Sequence, residues 1–150
     1  MKSKRTGGAL IEFALVVPMF LLVCLAGVDL GRAFNAAILL TGATRSALEY
    51  AGENANTAAD TTGITNIITT GTGNPSGLSV SVSQFCSCSP GGAQVACSDT
   101  CSGKLVYVQV TATEPFQTIA AWPWVPQPLN LTRSGTIRVA YPPPGGGGLG

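Results

Sequence analysis

The sequence predicts an α+β protein: a long N-terminal helix, its first half transmembrane, with a small three-stranded antiparallel sheet and a disulfide-bearing loop packed on its distal half. Three observations predict this. Ala9 to Val28 is an apolar run of twenty residues carrying one charge, Glu12. Three later stretches carry β-branched or period-two patterns. Between the first two of them, Cys86, Cys88, Cys97 and Cys101 fall within sixteen residues.

Composition narrows the function classes. A chain of 150 residues has room for one domain, and part of it is spent on the apolar run. Charged residues make up 10% of the chain, against about 25% in ordinary soluble proteins. Eight Lys and Arg and a net charge of +1 cannot build a basic surface, so no nucleic-acid partner is expected. The chain has no His, which removes His-based acid–base catalysis and ordinary His metal sites. The carboxylates are scattered, and Gly145–Gly148 is followed by no Lys, so it is no phosphate loop. No catalytic residue, metal, cofactor or small-molecule substrate is assigned; an enzyme is not expected.

The helix begins with the apolar run. About twenty residues at about 1.5 Å each match a hydrocarbon core of about 30 Å, and the rest of the chain is too short to wrap such a helix on all sides. Lys2, Lys4 and Arg5 precede the run; flanking basic residues resist translocation, so the N-terminus is expected in the cytoplasm and the remainder outside. Pro18 removes one backbone hydrogen bond, a kink that membrane helices tolerate. A secretory signal peptide is the rival reading, with small residues near Cys24-Leu25-Ala26. The length of the run and the early Glu12 count against it, and Val23 before Cys24 counts against a lipoprotein anchor. Glu12 itself is the oddity, since a charged side chain at the bilayer centre costs roughly 2.5–3.5 kcal/mol on insertion scales. It either reaches the headgroups or pairs with a cation inside the bilayer.

Gly7-Gly8-Ala9-Leu10-Ile11-Glu12-Phe13 after a short basic leader resembles a type IV prepilin processing site. Continued through Ala14-Leu15-Val16-Val17-Pro18, the stretch is similar to the TadE-like pseudopilins of the tight-adherence (Flp) pilus system. So are the exit Val28-Asp29-Leu30-Gly31-Arg32-Ala33-Phe34-Asn35 and the Ala-rich segment from Ala43 to Ala51. A later stretch, Leu131 to Val139, is similar to the family's last strand. The resemblance implies cleavage between Gly7 and Gly8 by a prepilin peptidase, which makes Glu12 the fifth residue of the trimmed chain. It also implies that Glu12 pairs with the new N-terminal amine of a neighbouring subunit. Gly7 offers no side chain to obstruct a peptidase; Gly8 is smaller than the family's usual first residue, so cleavage after Gly8 is the second choice.

The organisation expected along the chain is a leader at 1–7, a transmembrane helix at 8–28, its continuation at 29–53, an extracytoplasmic α+β unit at 54–141 and a disordered Pro/Gly tail at 142–150. Asp29 and Arg32 are spaced i,i+3 and Arg45 and Glu49 i,i+4, so each pair can meet. Leu30, Phe34, Ile38, Thr41 and Leu48 form a stripe at helical spacing that is expected to take the sheet. Ile64, Ile67 and Ile68 fit one short helix near 58–70. Gly71 to Gly77, with Asn74-Pro75, reads as a turn. The strands are expected at 78–83, at 105–112 ending before Pro115, and at 136–141. Trp122-Pro123-Trp124-Val125-Pro126 lies in the loop between the last two, packed on the sheet edge or touching a partner or headgroups. Asn130-Leu131-Thr132 matches a glycosylation sequon but sits in an expected strand, where the match reads as chance.

Four cysteines in an exported segment most simply form two disulfides. Three pairings exist, and Cys86–Cys88 is disfavoured by its short separation. The nested Cys86–Cys101 and Cys88–Cys97 staple a hairpin connection and are preferred to the crossed set. A zinc site is the alternative, but this spacing and an oxidising compartment argue against it.

The function expected is therefore that of a minor prepilin-like membrane subunit in assembly of a tight-adherence pilus. Its partners would be the membrane, a prepilin peptidase, other pilins or pseudopilins, and the pilus assembly platform. Its location would be the bacterial inner membrane, single-pass, possible transfer into a pilus included. The alternative is an unprocessed, single-pass anchored extracytoplasmic binding domain.

Overall fold

In the computed structural model, residues 8–140 are described. The expected leader, the tail and the last residue of the third expected strand lie outside them.

One helix, α1, runs unbroken from Gly8 to Gly52 and includes Pro18. At 1.5 Å per residue its 45 residues span about 67 Å. It ends where the chain must turn: Asn54 is extended, and its side chain caps α2 (Ala55–Ala59) by accepting from the backbone N–H groups of Asn56 and Thr57. Thr57 returns the bond to the Asn54 N–H, completing a capping box. Asp60 then closes α2 and opens α3 (Thr61–Thr72), accepting from the Gly63 N–H at 2.9 Å. The single helix expected near 58–70 is thus two helices. A carboxylate in a non-helical conformation divides them. Tyr50 donates from its hydroxyl to the other Asp60 oxygen at 2.9 Å, which ties this corner back to α1.

Three antiparallel strands follow in the order β1-β2-β3: β1 is Ser79–Ser87, β2 Leu105–Phe116 and β3 Leu129–Arg138. All three were expected; β1 and β2 run past the expected 78–83 and 105–112, whereas β3 starts seven residues before the expected 136–141 and ends at Arg138, sharing only 136–138 with it. β2 carries Pro115 inside it, paired with Asn130 of β3. The strand was expected to stop before this residue. The last β1 partner on β2 is Thr113, so Pro115 lies where one flank of the strand is open. A missing donor is tolerated at such an edge.

The core forms where α1, α3 and β2 meet. Leu40, Ala43, Ala47 and Ala51 of α1, Ile64 and Ile68 of α3, and Val108, Val110 and Ala112 of β2 are buried. The helix presents small residues to this junction, which lets the backbones approach. A Cβ on Gly71 would come 2.8 Å from that of Ala43. One on Gly135 of β3 would collide with Leu48. On the opposite, open face of the sheet, Phe85 and Tyr107 stack with centroids 5.3 Å apart.

The stripe expected to receive the sheet does so only at its far end, where Leu48 packs beside Gly135 of β3 and Thr41 accepts from the Arg133 side chain at 3.0 Å. Leu30, Phe34, Ile38 and Thr41 are exposed, and Leu48 alone is partly buried. At about 100° per residue the stripe is displaced by roughly a third of a turn from the Leu40–Ala43–Ala47–Ala51 face. Apolar spacing identified the larger side chains, while close packing selected the alanines.

Candidate functional site

The first half of α1 is the most unusual surface of the molecule. It is long and apolar enough to cross a membrane, and none of its most apolar window is buried against the protein. Phe13, Leu15, Met19, Phe20 and Val23 all project outward. Gly8 opens the helix, with nothing near the place a Cβ would occupy; Gly7 lies outside the described residues. Glu12 follows one turn after Gly8 and is exposed on this apolar cylinder. Among the described residues the ion pairs are Arg32–Asp29 and Arg45–Glu49, and neither includes Glu12.

At the far end of the apolar run stands Asp29, 4% exposed. It meets Arg32 at 3.3 Å, as the spacing suggested. Its main partners come from elsewhere: it accepts from the Ile119 N–H at 2.8 Å, the Ala120 N–H at 3.2 Å and the Trp122 indole N–H at 3.1 Å. One carboxylate therefore collects three donors from the loop between β2 and β3 and fastens it to the helix. The Ile119 N–H is the largest influence holding this carboxyl below its ordinary value; the Trp122 and Ala120 donors and the Arg32 charge add to it, against burial. Arg32 lies over the Phe116 ring at 5.3 Å, one turn farther along. Sequence reasoning paired Asp29 with Arg32 and missed the loop. The available signal was a Trp-Pro-Trp segment whose indole donors needed an acceptor.

The four clustered cysteines form two disulfides, Cys86–Cys97 and Cys88–Cys101. This is the crossed set, and the nested preference is corrected. The sheet register already places Val106 opposite Cys86, so Cys101 lies beyond the ladder and cannot face it. The connection instead folds back along the free edge of β1, where Val95 bridges Cys86 in antiparallel fashion. That return brings Cys97 to Cys86 and leaves Cys88 for Cys101. The sulfurs are thereby used, so the zinc alternative fails. Cys24 is a free, exposed thiol on the apolar run.

Compared with known families, the helix carries the match. Residues 7–48 match the TadE-like protein family model. Over that segment, from Gly7 through Glu12 and Asp29 to Leu48, the chain is similar to TadE-like proteins. The sheet, the disulfides and the tryptophan loop lie beyond the match. No curated protein and no solved structure matches the chain.

Proposed function

We propose that this chain is a minor prepilin-like subunit that takes part in assembling a tight-adherence pilus. A prepilin peptidase removes residues 1–7 at the cytoplasmic face, and the span 8–28 holds the trimmed subunit in the inner membrane with its sheet outside. The subunit then joins, primes or caps a filament through contacts with other pilins or pseudopilins and the assembly platform. The role is structural, in keeping with a chain that has no His and no recognisable catalytic constellation.

The observation that carries this reading is the continuity of exposed apolar helix surface past the end of the span. Leu30, Phe34 and Ile38 extend it by more than two turns beyond Asp29, where lipid no longer covers it. A neighbouring helix would. Within the bilayer the same neighbour supplies a cation to Glu12, because trimming before Gly8 frees an amine that can offset the cost of a sunken carboxylate.

Intact mass of the chain co-expressed with a prepilin peptidase tests the processing step. Loss of residues 1–7 that is blocked by enlarging Gly7, as in Gly7→Val, is the expected result. An untrimmed chain would instead favour an anchored extracytoplasmic binding domain.

A further inference from the structure

The loop that Asp29 fastens has an unusual composition. From Gln117 to Pro128 it contains no charged residue, three prolines, and both tryptophans of the chain. Its neck is closed by hydrogen bonds between Thr118 and Gln127. Above it, Arg32 donates to the Gln117 carbonyl at 3.5 Å. Held this way, the loop does not pack its apolar side chains inward. Trp124 is 78% exposed and Ile119 60% exposed. The two indoles lie 6.4 Å apart.

Depth decides what this surface meets. From Gly8 to Val28 the helix rises about 31 Å, close to the thickness of a hydrocarbon core. Asp29 therefore stands at the far headgroup level, and whatever it clamps stands there too. Between loop and helix is a cleft of about 350 Å³ lined by Ala26, Leu30, Phe116, Trp122, Trp124 and Leu129. Ala26 belongs to the apolar run itself, so the loop overhangs the last turn of the span. An indole combines a broad apolar ring with one donor and concentrates at the boundary between headgroups and acyl chains. Here the Trp122 donor is occupied by Asp29 and its half-buried ring lines the cleft, while the Trp124 ring stands exposed.

We propose that the 117–128 loop is a membrane seat: Trp122 and Trp124 enter the headgroup–acyl boundary of the extracytoplasmic leaflet and fix the depth and tilt of the sheet relative to the bilayer. The partner is the phospholipid surface. The proposal rests on reading residues 8–28 as a span, and it needs no processing or filament.

The test uses the full chain in phosphatidylcholine vesicles, with indole fluorescence as a reporter confined to this loop. Nitroxide lipids labelled near the headgroup should quench roughly twofold or more better than lipids labelled near the chain end, as for interfacial tryptophans. Trp122→Phe and Trp124→Phe each leave one reporter and should keep that order. In parallel, Cys24, the free thiol of the apolar run, should resist a water-soluble maleimide. Protected Cys24 with indoles quenched by aqueous acrylamide and untouched by either lipid label would overturn the seat and leave the span intact. A readily labelled Cys24 would overturn both.

Discussion

Asp29 shows how much one residue can organise. Its carboxylate accepts two backbone N–H bonds and an indole bond from a loop 90 residues away in sequence. Its folded pKa lies below the ordinary value. A depressed carboxyl contributes stability that is fully present above the unfolded value near 3.8 and is lost as pH falls through the lower folded value. Indole emission should therefore stay constant from neutral pH down toward that unfolded value and change below it. Asp29→Asn should already show the released spectrum at pH 7. Asp60 is depressed in the same sense by the Gly63 N–H and then the Tyr50 hydroxyl, but it faces no tryptophan, so the indole signal separates the two. Glu114 acts oppositely: burial holds its carboxyl above the usual value, and its contribution falls as pH rises through that value.

At the scale of elements, packing follows size rather than hydrophobicity alone. Leu40 is fully buried, and Leu40→Ala should destabilise the folded unit by about 2–5 kcal/mol in urea unfolding. Phe34 is 61% exposed, and Phe34→Ser should change stability by about 0.5 kcal/mol or less while weakening any helix-to-helix association. A large loss of stability from Phe34→Ser would show that the stripe is internal. Replacing Cys88 and Cys101 together by Ser should cost about 3 kcal/mol, read from the same urea curves, given their sequence separation of 13. Here the limits of the sequence are physical. The apolar run, the period-two strands and the cysteine cluster could be read because each is a local pattern. The buried alanine face could not, since Ala43 and Ala47 signal nothing until Gly71 and the sheet come against them. The disulfide pairing depended on sheet register and on the Val95 return along β1, both long-range facts. Glu12 stands out as a lone acid in the apolar run, and Gly8 through the resemblance to a prepilin processing site, while the Asp29 clamp needed the fold.

As a whole the molecule is a spike: an apolar half with no protein cover, and a half that carries a small sheet stapled by two disulfides. Such a shape can be anchored by the first half and read by partners along the second. The TadE-like match spans the exposed apolar half with Glu12 and the start of the packed half, the parts the proposed assembly role would use. If trimming and pairing drive assembly, the acid must matter after cleavage rather than for it. The most direct measurement is the recovery of a Glu12→Gln chain in sheared pili, with intact mass recorded in the same cells. The account expects the variant to be trimmed normally and to be missing from the filament fraction, held back in the membrane. Trimmed Glu12→Gln recovered in pili at the level of the unaltered chain would contradict it.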